Sequence, residues 1–177
     1  MVIGAKDSYA ASALNDVGKT YFAVCQGSLP GEGVIDTPIR LKEGHSIQRE
    51  AGEGGKPAVT HWKSLAQGAA AGKSYTLLAL TLETGRTHQI RVHLTGEDLP
   101  LIGDQLYRGR APGIAVKVEN FLEFHRQALH ASRLGLIHPA TGEEMEWFVE
   151  PPEDMIDLME QLGFGPWDRP VTVFEKK

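Results

Sequence analysis

Residues 75–94 read YTLLALTLETGRTHQIRVHL, and the two halves of this stretch differ in kind. Tyr75–Glu83 is apolar at almost every position and lacks the alternation of a strand that shows one face to water. Such a run is expected of a central strand covered on both sides. Thr84–Leu94 then turns polar: two arginines, two histidines, a glutamine and two threonines, with Ile90, Val92 and Leu94 threaded between them. Hydrogen-bond donors held on a core-anchored element suit a site for anionic or base-like ligands. The segment is predicted to form a short helix capped by Thr87, with Ile90 and Leu94 inward and Thr95-Gly96 at its end. His88 and Arg91 then share a helical face and present imidazole and guanidinium together. A surface helix with scattered charges accounts for the same residues equally well.

Upstream, Val2–Ala5 reads as a short strand, and Ser8–Leu14 as a helix stopped by Asn15, Asp16 and Gly18. TYFAVCQG is predicted as a strand with Tyr21, Ala23 and Cys25 on one side. SLPGEG is a turn before an extended VIDTPI, and AVTHWKSLA resumes strand character over 58–65. Residues 42–56, KEGHSIQREAGEGGK, show no periodicity and read as a mobile loop. Downstream, LPLIGDQLY returns to the core through Leu99, Leu101 and Ile102, and 108–120 reads as irregular. ALHASRLGLIH and EMEWFV form a hairpin across PATGE. Pro151-Pro152 opens a helix with Met155, Ile156, Leu158, Met159 and Leu162 on one face, closed by Gly163. The expected class is α+β, a mixed, mainly antiparallel sheet with a few short helices.

Bulk properties narrow the function classes. At 177 residues the chain fits one domain, and no apolar run reaches the length of a membrane helix. The start lacks the basic and apolar regions of an export signal, and the single cysteine, Cys25, excludes an internal disulfide. A cytoplasmic setting follows as the expectation. The net charge of −5 is unevenly spread: residues 141–177 hold ten acidic and three basic side chains, leaving the remainder slightly cationic and compatible with phosphate. His88 and His93, five apart and without a cysteine partner or H-E-x-x-H, do not suggest a metal site. No G-x-S-x-G elbow, Walker A loop or G-x-G-x-x-G is present. Tyr21, His125, Arg126, His130 and Arg133 each fit a core or solvated strand face as well as an RNA contact.

TGRTHQIRVHL, LPLIGDQLY and ALHASRLGLIHPATGE, in that order, resemble the second half of RluA-type RNA pseudouridine synthases. KTYFAVCQG, GVIDTPI and GKPAVTHW resemble earlier blocks of that family, and R-T-H-Q-I-R-V-H is highly specific to it. The likeness covers about residues 2–162, so residues 1–163 are assigned to a partial pseudouridine synthase catalytic domain and 164–177 to a tail.

The resemblance implies a cofactor-free, metal-free isomerase that converts uridine to pseudouridine in structured rRNA or tRNA. The target base must leave its stack, at a cost of a few kcal/mol. Carried over to this chain, Tyr21 stacks on the base and assists proton removal, Arg91 pairs with the catalytic aspartate, and Leu129 packs against the base. Arg86, His88 and Gln89 fall on the substrate-binding side, supporting the site or contacting the RNA backbone.

One motif of the family, the H-R-L-D-x-x-T-S-G block with the nucleophilic aspartate, does not occur in these residues. Asp36 and Asp104 fall in other blocks and read as structural. The resulting expectations are a truncated chain, inactive alone for want of a nucleophile, and a buried Arg91 deprived of its counter-ion. A bare apolar sheet edge, open to the missing half or to self-association, is expected as well. The alternatives are a non-catalytic RNA-binding module and a protein-interaction remnant.

Overall fold

The computed structural model describes residue 8, residues 17–108 and residues 124–168. The strand expected at Val2–Ala5, all but Ser8 of the helix expected at Ser8–Leu14, and most of the irregular segment 108–120 lie outside the described residues.

Among the described residues, eight strands and two helices follow one another: β1 Gly18–Gln26, β2 Glu32–Asp36, β3 Ile39–Leu41, β4 Arg49–Ala51, β5 Val59–Ala70, β6 Lys73–Leu82, α1 Gln89–Gly96, β7 Leu129–Ile137, β8 Glu144–Phe148 and α2 Glu153–Gln161. Six strands form one sheet in the order β2-β5-β6-β1-β7-β8, and β3-β4 form a separate ribbon. Every strand pairing among the described residues is antiparallel. The chain is therefore α+β, as its residue pattern implies.

The apolar run of β6 is explained by its place between β5 and β1. Tyr75, Leu77 and Ala79 join Phe22 and Val24 of β1 in a cluster under α2, with Met155, Leu158, Met159 and Leu162. Leu78 and Leu80 turn the other way and join Ala23 and Cys25 in a cluster under α1, with Ile90, Leu94, Leu99 and Leu101. Both faces of the sheet are thus covered. Leu78 and Leu80 are fully buried, and each contributes about 1.5–3 kcal/mol. Residues beyond Gly163 also reach this core: the Trp167 ring meets Phe22 edge-on, 5.1 Å between centroids.

Two local expectations are corrected. Residues 42–56 contain β4, paired to β3 from Ile39–Ala51 to Leu41–Arg49, rather than a structureless loop. Three-residue strands in a charged, glycine-rich segment are too short to carry a period of their own; here tertiary bonds set the register. Ile39 and Lys56 exchange backbone hydrogen bonds at 2.9 and 2.8 Å, and the Arg49 amide donates to the Tyr107 hydroxyl at 2.8 Å. Nor does Thr87 cap α1. His88 occupies the cap position with φ 59°, and no side chain caps the helix there. That left-handed turn is rare outside glycine and asparagine, and it is sustained by the surrounding bonds described below.

Candidate functional site

The turn that leads from β6 into α1 is organised from inside by Gln89, which is 2% exposed. Its amide nitrogen donates to the Val59 carbonyl at 2.9 Å and to Thr60 Oγ1 at 3.0 Å. Its Oε1 accepts from the Arg86 amide at 3.0 Å and Thr84 Oγ1 at 2.9 Å. Both donors and both acceptor sites are committed within the chain. Gln89 therefore fixes the path of Gly85–Thr87, and Arg86 gains a second anchor where its Nε donates to the Pro57 carbonyl at 2.8 Å.

One helical turn further, Arg91 and His88 converge on Tyr107. The Arg91 guanidinium lies 4.8 Å from the centre of the Tyr107 ring, a favourable cation–π distance. His88 Nδ1 lies 3.0 Å from the Tyr107 hydroxyl. That hydroxyl accepts the Arg49 amide and still has a proton and a second lone pair to pair with His88 Nδ1. Burial, with Arg91 nearby, lowers the His88 pKa from the usual 6.5 and favours the neutral ring.

Arg91 also grips Asp104. Nε and Nη2 each lie 2.7 Å from one of the two carboxylate oxygens. The Asp104 side chain is 0% exposed and that of Arg91 14%. Oδ1 accepts two more bonds, from the amides of Leu106 at 2.9 Å and Tyr107 at 3.0 Å. Burial pulls the Asp104 pKa upward, but Arg91 and the two amides outweigh it, and the carboxyl sits below its usual value. The hydrogen bonds that Arg91 donates to Asp104 likewise raise the Arg91 pKa against its own partial burial. The expectation that Arg91 stands without a counter-ion is thereby corrected: Asp104, thirteen residues on, compensates it. Asp104 is structural, as its sequence block suggests.

Tyr21 and Leu129 pack on the sheet face that α1 covers, against the cluster containing Ile90, Leu94 and Leu101. Leu129 pairs with Ala23 in the register of β7 with β1. A bulge falls between Thr20 and Tyr21, where the partner position jumps from Arg133 to Ala131. Bulges re-aim side chains, and this one sits beside the tyrosine of interest. Burial raises the Tyr21 phenol above its usual 10.0, so it is neutral at physiological pH. His93 is structural: Nε2 donates to the Thr37 carbonyl at 2.9 Å, and Nδ1 faces Thr60 Oγ1 at 2.9 Å. Tyr107 and Arg49 were not singled out by residue pattern, since nothing local in IGDQLY or SIQREA tells that they meet. Among the described residues no three His, Cys, Asp or Glu side chains group in a way that would hold a metal ion.

The described residues thus form a covered antiparallel sheet with the arginine-bearing helix α1 on the face that holds Tyr21 and Leu129. A family model described as RNA pseudouridylate synthase matches residues 1–95, and the chain belongs to that family. The chain is 40% identical over 153 residues to ribosomal large subunit pseudouridine synthase D of Salmonella typhimurium, covering 84% of this chain and 46% of that protein. It is 42% identical over 148 residues to the synthase D of Haemophilus influenzae, covering 81% and 44%. The chain thus spans about half the length of the curated relatives it matches. Among solved structures, human RNA pseudouridylate synthase domain containing 1 superposes with a TM-score of 0.65 at 24% identity, covering 93% of this chain and 75% of that one. The fold is shared. Human RNA pseudouridylate synthase domain containing 4 gives 0.59 at 26%, covering 83% and 62%.

Proposed function

We propose that this chain forms the uridine-binding wall of a synthase that isomerises uridine to pseudouridine in ribosomal RNA. The observation that carries the reading is the 40% identity to a ribosomal large subunit pseudouridine synthase over 153 residues. In the reaction the bond from uracil N1 to the ribose breaks, the base turns, and its C5 bonds to the same ribose carbon. The C5 proton leaves and N1 regains one, so no external oxidant or cofactor is needed.

Tyr21 offers a neutral aromatic face for stacking, and Leu129 an apolar surface beside it. Arg91 uses only its Nε–Nη2 edge on Asp104, leaving the other edge of the guanidinium fork to face a second carboxylate. That carboxylate, the nucleophile, belongs to an H-R-L-D block outside these 177 residues. Arg86 contacts the RNA backbone, His88 sets Tyr107, and Gln89 acts on substrate only through the turn it holds. A cytoplasmic setting fits this role. Transfer RNA is the competing substrate class.

The test is pseudouridine formation on large-subunit rRNA and on bulk tRNA, by this chain alone and by the chain joined to a segment that bears the family's H-R-L-D block. Product on rRNA from the joined form alone is expected. Product from the chain alone would overturn the assignment of the nucleophile, and none from a folded joined form would overturn the reading itself.

A further inference from the structure

Tyr107 is 4% exposed, too deep to stack on a base, yet the Arg91 guanidinium lies against its ring at 4.8 Å. Asp104 holds one edge of that guanidinium, through Nε and Nη2. Two bonds along one edge fix where the edge lies but leave the plane free to tilt about it. A ring against the face stops the tilt, and its quadrupole attracts the cation it supports. Leucine would fill the same apolar space; only an aromatic residue also offers the cation a face.

The ring is itself held from several directions. The Tyr107 amide donates to Asp104 Oδ1 at 3.0 Å, so the face and the edge of Arg91 are both referred to one carboxylate. Its hydroxyl accepts the Arg49 amide of β4 at 2.8 Å and lies 3.0 Å from His88 Nδ1. The His88 ring also meets it edge-on, 5.5 Å between centroids. Ile39 of the ribbon, Ala58 at the approach to β5 and Val92 of α1 pack in the same cluster. Tyr107 therefore cannot shift without disturbing three separate segments.

We propose that Tyr107 is a positioning residue for the isomerisation: it holds the plane of Arg91 so that the edge left free by Asp104 points at the nucleophilic carboxylate. This rests on the role given to Arg91 above. Misplacing a reacting group by about 1 Å can cost on the order of 100-fold in rate, so a tilted guanidinium acts on the chemical step rather than on RNA capture.

The test is steady-state kinetics of the joined, aspartate-bearing form on large-subunit rRNA, with Tyr107→Phe, Tyr107→Leu and Tyr107→Met. Both ringless variants should lose roughly 10–100-fold in kcat with KM within about 3-fold, whereas Tyr107→Phe should keep kcat within about 3-fold of the unaltered protein. Added to Arg91→Lys, Tyr107→Leu should lower kcat little further, because it acts through the arginine. Far-UV circular dichroism and urea midpoints confine the comparison to folded protein. Tyr107→Phe loses the hydroxyl bonds but keeps the ring, so a fall in its kcat as large as that of the ringless variants overturns the proposal. So does an unchanged kcat in a folded ringless variant, a rise in KM alone, or a full additive loss on top of Arg91→Lys. Each of these leaves the reading of the site intact, whereas absence of product from the unaltered joined form overturns that reading and the positioning role with it.

Discussion

Arg91 and Asp104 face each other as a two-pronged ion pair, both bonds 2.7 Å, with the carboxylate fully out of water. The pair ties α1 to the segment that follows it, and Asp104 also collects the amides of Leu106 and Tyr107. Asp104→Ala would strip a mostly buried guanidinium of its partner and leave two amides unmatched. A loss of about 3–5 kcal/mol is expected, read as a drop in the urea midpoint. A change below about 1 kcal/mol would show that water replaces the carboxylate readily.

Acid should weaken the fold in two stages. Burial lowers the pKa of His93, and burial with Arg91 lowers that of His88, each from 6.5. Both rings stay neutral in the fold while the unfolded chain takes up protons near 6.5. Their contribution is complete above that value and is lost as pH falls through it toward the folded pKa values. Asp104, lowered from 3.8, adds a second loss below that value. Urea midpoints between pH 7.5 and 5 should decline, and His93→Gln should flatten the slope. A flat profile in the unaltered chain would refute the assignment of neutral imidazoles.

Tyr107→Phe removes one hydroxyl that serves both His88 and the Arg49 amide. The expected cost is about 1–2 kcal/mol. The more specific readout is hydrogen exchange, which should accelerate at the Arg49 amide and leave β6 protected. Unchanged exchange there would mean that the ribbon is held by other bonds.

Gly103 has φ +72°, and a Cβ there would run into the Arg126 carbonyl and approach the Phe124 ring at 3.0 Å. Gly103→Ala should cost about 2–4 kcal/mol, from the backbone conformation and the clash together. Denaturation at constant pH measures it, and a neutral result would show that the 124–126 segment yields.

Stacking at Tyr21 can be separated from proton chemistry. In the joined, aspartate-bearing form, Tyr21→Ala should weaken RNA binding by about 1–3 kcal/mol, whereas Tyr21→Phe should retain most of it. If Tyr21→Phe binds normally but forms no pseudouridine, the hydroxyl takes part in proton removal. Equal binding by all three forms would remove Tyr21 from the substrate surface.

Residue order by itself determined the sheet and its covering. The unbroken apolar run of β6 implied cover on both faces, the spacing of Met155, Leu158, Met159 and Leu162 implied a helix with one apolar face, and R-T-H-Q-I-R-V-H pointed to the family. Those signals are local, because a strand or helix face is written in consecutive residues. The site needed more. Thirteen residues separate Arg91 from Asp104 and fifty-eight separate Arg49 from Tyr107, and no periodicity links such pairs. Only the tertiary structure showed that Arg91 has its counter-ion, that His88 rather than Thr87 stands at the helix start, and that a charged, glycine-rich segment is a ribbon. The physical reason is the same in each case: these features are held by hydrogen bonds between distant segments, and such bonds exist only once the chain has closed on itself.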